Sequence, residues 1–374
     1  MSSSAIIVGA GIVGLATARA LSIRGYKVTV IERSSKAVGA SVRNFGMVWP
    51  VGQPDGVLYE RAMKSRSVWK SVADSIGFWY DECGSLHTAY YEDEWQVLQE
   101  LYDAFKANGR PVQLLSKKDV LEKFNGVNEN ELIGGLYSAT ELIVDPRVAI
   151  TSIADYLKEF LEVEFIWDAA VTEVQTGKVK AGNTIIQADL ICICSGADFE
   201  TLYPEMYKQQ QLTKCKLQML RFAPLEHDWR IGTAVCGGLS LIHYNSFKVA
   251  PSLPVLKERY SGEMSEYLQW GIHVMVSQNE KGELTVGDSH EYGLTFDPFD
   301  QSFINELIIQ YLRQFMICND WKLVQSWNGI YPKSTVGQTE IFVQAEQGVY
   351  VVNGLSGAGM TLSFGLAEEL VEKM

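Results

Sequence analysis

Strand–glycine–helix segments at both ends of the chain, with long alternating runs between them, predict an α/β protein. Its first domain is expected to be Rossmann-like and parallel-stranded. Its second is expected to be α+β with a mostly antiparallel sheet. The 374 residues give room for two or three cores.

The opening segment carries the sharpest signal. Ala5, Ile6, Ile7 and Val8 form a short apolar run without polar alternation, the pattern of a strand buried on both faces. Gly9-x-Gly11-x-x-Gly14 follows at once. The first glycine permits a tight turn, the second lets a pyrophosphate approach the backbone, and the third brings helix and strand together. A helix over 12–22 then aims the unpaired N–H groups of its first turn, around Ile12 and Val13, at that pyrophosphate. A second buried strand over 27–31 ends on Glu32, eighteen residues past Gly14. A carboxylate there accepts hydrogen bonds from an adenosine ribose and repels a 2′-phosphate, so FAD or NAD is expected rather than NADP. A glycine turn without nucleotide explains the three glycines but not the strand, helix and acid around them.

Bulk composition narrows the function classes. With 47% hydrophobic and 21% charged residues the chain is globular, and no run is long and apolar enough to span a membrane. A net charge of −13 argues against a nucleic-acid partner. The six cysteines (83, 192, 194, 215, 236 and 318) show no CxxC pair and no zinc spacing, so reduced thiols, no metal and a cytoplasmic location are expected.

After Glu32, the segment from Arg33 to Pro50 is too polar and glycine-dotted for a core element. It offers Ser41, Arg43 and Asn44 as donors, with Gly46 allowing close backbone approach, and suits a loop wrapping the far side of a pyrophosphate. Helices are expected over 55–76, 94–108, 117–124 and, capped by Asp145 with Pro146 in the first turn, 145–161. Short strands are expected over 163–167, 170–174, 178–180 and 184–186. The apolar run 188–194 ends in Ser195, Gly196 and Ala197, like a central parallel strand delivering a small-residue turn. Between 212 and 321, strands are expected at 216–222, 239–247, 272–276 and 283–287, with a helix at 303–315. Four of the five histidines (227, 243, 273 and 290) fall in this stretch.

The C-terminal segment repeats the opening theme. A buried strand over 348–352 leads to Gly354, Gly357 and Gly359, then a helix with Leu362, Leu366 and Leu370 on one face. A simple NAD-dependent dehydrogenase does not need a second such turn. A flavin does, because reduction places negative charge on one ring edge, where a helix N-terminus stabilises it.

With both glycine motifs in hand, the chain resembles the FAD-dependent amine oxidases of the D-amino-acid oxidase, glycine oxidase and sarcosine oxidase type over nearly its whole length. The resemblance implies FAD contacts at Gly9, Gly11, Ile12, Val13, Gly14, Glu32 and Arg33. Ala40, Ser41, Arg43, Asn44, Gly46 and Met47 match the pyrophosphate and flavin loop, and Val171 the segment whose backbone meets adenine. Ser195 and Gly196 match the strand end, and Gly354, Gly357, Ala358, Gly359, Met360 and Thr361 the flavin-end motif. Segments 43–50, 216–221, 287–293 and 359–365 resemble a subgroup associated with phosphonate catabolism, whose expected substrate is 2-aminoethylphosphonate or an N-methyl derivative. Both domains are expected to be discontinuous, with 1–77, 141–212 and 322–374 binding FAD and 78–140 with 213–321 forming the substrate domain.

Two departures bear on the substrate. Glycine oxidases carry an arginine before the proline of a Trp-x-Gly-x-x-Pro segment, to hold the substrate carboxylate. Here that segment runs from Trp327 to Pro332, with Tyr331 in the anchor position and Lys333 beyond it. Sarcosine oxidases attach flavin through a cysteine in this region, and 327–340 contains none, so FAD is expected to be non-covalent.

The expected reaction is oxidation of a C–H beside an amine nitrogen, by hydride transfer to the flavin, imine hydrolysis and dioxygen reduction to peroxide. Substrates in view are a small, possibly anionic primary or secondary amine, a glycine- or sarcosine-like compound or a D-amino acid. The substrate-side candidates are Trp49, Tyr244, His273, His290, Tyr331 and Lys333. Asp288-x-His290 is too sparse for a metal site without further ligands. A same-fold dehydrogenase feeding a quinone or protein acceptor is the alternative. A tRNA-modifying flavoenzyme is a weaker one, given the acidic chain.

Overall fold

The computed structural model describes residues 3–224, 226 and 228–374; His227 lies outside them. Among the described residues, six strands form the first sheet and nine the second.

Ser4–Val8 lies inside the first sheet, between Lys27–Ile31 and Leu190–Ile193, parallel to both. Glu164–Ile166 adds in parallel beyond Lys27–Ile31, and Val349–Asn353 beyond Leu190–Ile193. Ile341–Glu346 closes that edge in the antiparallel sense. Ile7, Val30, Ile191 and Val351 are fully buried, which explains why these strands are apolar without alternation. One face carries the helices Ile12–Ile23, Val57–Ile76, Pro146–Phe160 and Gly359–Val371. The other face packs on the antiparallel meander Val171–Gln175, Lys178–Ala181 and Thr184–Gln187.

The first and last helices lie side by side and point the same way. Arg19 pairs with Glu368 at 2.8 Å and Arg24 with Glu372 at 3.1 Å, one turn further along. Gly365 sets the last helix against Val57–Ile76: a Cβ there would sit 2.4 Å from the Arg61 carbonyl oxygen. Gly365→Val is therefore expected to cost about 3 kcal/mol in urea unfolding, as overpacking between two helix backbones.

The second sheet is antiparallel apart from the parallel pairing of Ala234–Cys236 with Ser85–Ala89. Helices Glu92–Ala107, Leu253–Glu263 and Ser302–Phe315 bury their apolar sides in its core. Leu253–Glu263 was not foreseen, because its apolar residues are few and irregularly spaced.

Two expectations are corrected. Residues 239–247 are not a strand but two 3-10 turns, Gly238–Ile242 and Asn245–Val249. Ser240 Oγ donates to the Gly237 carbonyl within its own turn, and Ser246 Oγ reaches the distant carbonyl of Val51, so side-chain bonds replace ladder bonds. The boundary at 322 also moves. Lys322–Ser334 pairs along its length with Leu212–Ala223, from Leu212 opposite Ser334 to Ala223 opposite Lys322, so this strand belongs to the second sheet. Its exposed Leu323 and Val324 blur the alternation that would have revealed it.

A candidate flavin cleft between the two sheets

The strand ends of the first sheet build one wall of a cleft. Gly9 leaves Ser4–Val8 at φ +105°, and a Cβ on it would meet the Cys194 carbonyl oxygen at 2.5 Å. A Cβ on Gly14 would lie 1.9 Å from the Gly9 carbonyl oxygen, so helix and turn touch backbone to backbone. Gly11 is the N-cap of Ile12–Ile23, and Ser41 Oγ accepts the Ile12 N–H at 2.9 Å. The N–H groups of Val13 and Gly14 have no intrahelical partner by geometry, and Ile12 and Val13 face the cleft.

Glu32 stands beside this turn. Its carboxylate accepts the Ala10 N–H at 2.9 Å and the Ser34 N–H at 3.1 Å, leaving lone pairs for a diol. Arg33 instead turns to Asp198, at 3.0 Å. Ser195 Oγ donates to the Asp198 carbonyl, and Gly196 lines the cleft. Val171 opens the first strand of the meander and is buried in the core between it and the first sheet.

The loop after Glu32 is organised by its own side chains. Asn44 Nδ2 donates to the carbonyls of Ala40 and Ser41, and its Oδ1 accepts the Gly46 N–H. Arg43 donates to the Val38 carbonyl and, across to the second sheet, to that of Asn328. Asn44 and Arg43 therefore hold the loop. Ala40, Ser41, Arg43, Asn44 and Met47 all line the cleft, whereas Gly46 lies behind it against Val144.

The last helix opens at the same place. Gly354 leaves Val349–Asn353 at φ +76°, and Gly357, Ala358, Gly359, Met360 and Thr361 line the cleft. No side chain caps this helix. A Cβ on Gly359 would lie 3.6 Å from Ile12 Cγ2, so the two helix openings are neighbours. Trp49 N–H donates to Thr361 Oγ1 at 3.0 Å and ties the loop to the second opening.

The other wall comes from the second sheet. Trp49, Tyr244, His273, His290, Tyr331 and Lys333 all line the cleft, as expected from sequence, together with two residues not counted among the candidates, His243 and Asp288. The ring centroids of His243 and His273 are 3.7 Å apart, and His290 stands 5.0 Å from His273 and 5.2 Å from His243. Asp288 lies beneath them, with Oδ1 3.3 Å from His273 Nε2, without hydrogen-bond alignment, and Oδ2 3.9 Å from His290 Nε2. His290 Nδ1 pairs with the Gly271 carbonyl at 2.8 Å. His243 is accessible through the cleft, although protein encloses it on its other sides.

Burial sets the charges here. It lowers the His290 pKa to about 4, with the nearby Lys333 ammonium adding to the effect. Burial, then the neighbouring histidines and Lys333, holds His243 and His273 well below the usual imidazole range. Burial raises Asp288 well above the usual carboxylate range, with Lys333 opposing it. Neutral imidazoles therefore face the cleft near pH 7. Four buried polar atoms of cleft residues have no protein partner: Trp49 Nε1, both ring nitrogens of His273 and Asp288 Oδ1. Such groups in a native cleft are where a ligand or water is expected.

A parallel nucleotide-binding sheet roofed by an antiparallel one, with two helix openings in the crevice between, defines the two-domain flavin-dependent oxidoreductases. The chain belongs to the FAD dependent oxidoreductase family, the DAO family, whose model matches residues 4–373. Glycine oxidase from Geobacillus kaustophilus is 28% identical over 172 residues, which is 42% of this chain and 46% of that protein. D-amino acid dehydrogenase from Helicobacter pylori is 24% identical over 255 residues, and the match takes in 53% of this chain and 61% of that protein. The Geobacillus kaustophilus glycine oxidase structure superposes with a TM-score of 0.79 at 20% identity, covering 100% of this chain and 94% of that one. L-proline dehydrogenase from P. horikoshii superposes at 0.80, also at 20% identity and with the same coverage. No helix among the described residues is long and apolar enough to cross a membrane.

The residues present fit FAD. The bare peptide edge at Gly11 and the adjacent helix openings suit a pyrophosphate and an electron-rich ring edge, and Glu32 suits a ribose.

Proposed function

We propose that this protein oxidises the C–N bond of a small primary or secondary amine, releasing an imine that water hydrolyses. When bound, FAD supplies the two-electron oxidant that takes a hydride from the carbon beside nitrogen. The observation that carries this reading is the uncapped opening of Gly359–Val371, aimed into the same cleft as Trp49, Tyr244 and Tyr331. The helix end offers a positive field where charge accumulates on reduction. The three aromatic side chains wall the space and exclude water, so the amine is held neutral and close.

No cysteine lines the cleft among the described residues, which supports a cofactor held without a covalent bond. Arg43 is the one arginine in its lining among those residues, and it is engaged with backbone carbonyls. A glycine-oxidase-like arginine anchor is therefore missing. An amine with an anionic tail, 2-aminoethylphosphonate or its N-methyl derivative among them, suits the Lys333 end of the cleft better than a plain amino acid. Dioxygen is the proposed acceptor.

The test is anaerobic mixing of the yellow holoprotein with glycine, sarcosine, D-amino acids and aminoethylphosphonates. At least one is expected to bleach the flavin absorbance, and air is expected to restore it with release of peroxide. Flavin that no amine bleaches would overturn the reading. Flavin bleached but not restored by air would favour a dehydrogenase with another acceptor.

A further inference from the structure

The amine reading leaves the histidine cluster without a role, and the cluster is unusual enough to require one. Three imidazoles come from three separate places: the end of the turn Gly238–Ile242, the approach to Met275–Gln278 and the exit from Leu284–Gly287. They converge at one place in the cleft, near enough to Lys333 for its charge to act on all three. His273 is 4% exposed, yet neither of its ring nitrogens has a protein partner. A buried donor left in that state costs about 1–3 kcal/mol unless something else satisfies it.

Two kinds of ligand suit clustered imidazoles, a transition-metal ion and an oxyanion. One potential ligand atom from each histidine does lie within 4.8 Å of the others. Two observations nevertheless weigh against a metal. The His243 and His273 rings are only 3.7 Å apart, centroid to centroid. Imidazoles whose nitrogens sit about 2.0–2.1 Å from one tetrahedral ion hold their centroids further apart than that. Lys333 also faces the cluster, and its ammonium repels a cation. An anion meets no such conflict: the unpartnered His273 ring offers an N–H, Lys333 offers charge, and His290, whose Nδ1–H is given to the Gly271 carbonyl, donates through Nε2 once it takes up a proton with the anion. Asp288 is the one carboxylate in the cleft lining among the described residues, and burial raises its pKa well above the usual carboxylate range, which favours the neutral form that does not repel an anion.

We infer that His243, His273 and His290, together with Lys333, form the anchor for a compact oxyanion on the substrate, in place of an arginine. This rests on the amine-oxidising reading for the word substrate, but not for the anion site itself. The anchor and the last helix opening line the same cleft, so the ligand carries its amine carbon and its oxyanion a short chain apart. Carboxylate and phosphonate share the required chemistry. A three-oxygen head can engage donors arriving from three directions, whereas a planar carboxylate engages fewer of them.

The test uses the FAD-loaded full chain and two anions that cannot be oxidised, acetate and methylphosphonate. Either is expected to perturb the flavin spectrum saturably and to compete with the amine substrate. His273→Gln and His290→Gln are each expected to weaken that binding at least about tenfold, as the loss of one charge-assisted hydrogen bond. Both are also expected to shrink, by a similar factor, the kcat/KM preference for an anionic amine over a neutral one such as ethanolamine. Lys333→Gln, on a partly exposed side chain, gives the same readout should the buried variants fail to fold. The relative strength of the two anions identifies the source of the charge.

The inference is overturned if neither anion binds the parent, or if the variants bind both unchanged. Stoichiometric zinc retained through dialysis against EDTA, and lost in His273→Gln, would also overturn it in favour of a metal. Failure of every amine to bleach the flavin, with the anions still binding, would sink the amine reading and leave the anchor standing.

Discussion

The Gly11→Val protein is expected to fold and to purify colourless. Gly11 has φ −71° and ψ 172°, a conformation open to any residue. A Cβ there meets only Ser41 Oγ, at 3.2 Å, so the backbone tolerates the change. The branched side chain would instead stand where a pyrophosphate must approach the first helix opening. A loss of at least about a hundredfold in FAD affinity is expected, some 3 kcal/mol, read from the flavin-to-protein ratio and a titration of the apoprotein. Gly9→Ala should behave differently. Its φ of +105° and the 2.5 Å approach to the Cys194 carbonyl place strain in the turn itself. Stability should fall by about 1–3 kcal/mol along with the cofactor. A Gly11→Val protein that keeps its flavin would show that the cofactor does not cross this turn.

Acid sensitivity should trace largely to histidine. His87 is fully buried among Trp49, Tyr244 and Phe247, with neither ring nitrogen bonded, and burial lowers its pKa to about 3. The unfolded chain takes up a proton near pH 6.5 that the folded chain refuses until about pH 3. Its contribution is therefore complete above pH 6.5 and lost progressively below it, by about 1.4 kcal/mol per pH unit for one proton. His243, His273 and His290 act with the same sign, and Asp288, whose carboxyl is raised, acts against them. His87→Leu removes an unpartnered imidazole from an apolar site and is expected to stabilise the protein. It should also lower the slope of unfolding free energy against pH, between pH 6 and 4, by one proton. Urea unfolding across that range checks both, and an unchanged slope would refute the assignment.

The glycine motifs were legible because their spacing is a local property. Gly9, Gly11 and Gly14 act within one turn, and Glu32 lies at the end of the adjacent strand, so the chain order shows the site directly. The same holds for Gly357 and Gly359 at the last helix. The wall of the cleft built by the second sheet was legible only in part. Tyr331 and Lys333 could be placed because they lie in and just after a recognisable segment, and His273 and His290 because they lie at or near the ends of expected strands. His243 was passed over as a site residue: residues 239–247 alternate like a strand, whereas serine hydroxyls fold them into turns. Nor could spacing show that residues 243, 273 and 290 meet, since their meeting depends on sheet order. Arg43 and Asn44 were read as ligand donors and also hold their own loop, because a polar side chain in a glycine-rich segment has the backbone as its nearest competitor.

The side-by-side arrangement of Ile12–Ile23 and Gly359–Val371 also constrains biosynthesis. The first helix leaves the ribosome long before its companion, and Val349–Asn353 arrives with the latter. A nascent chain stopped before residue 349 exposes one apolar flank of Leu190–Ile193 and has half a cradle. Cofactor loading must therefore wait until Gly359–Val371 has emerged, and until then the unfinished protein presents a bare sheet edge that chaperones would be expected to shield.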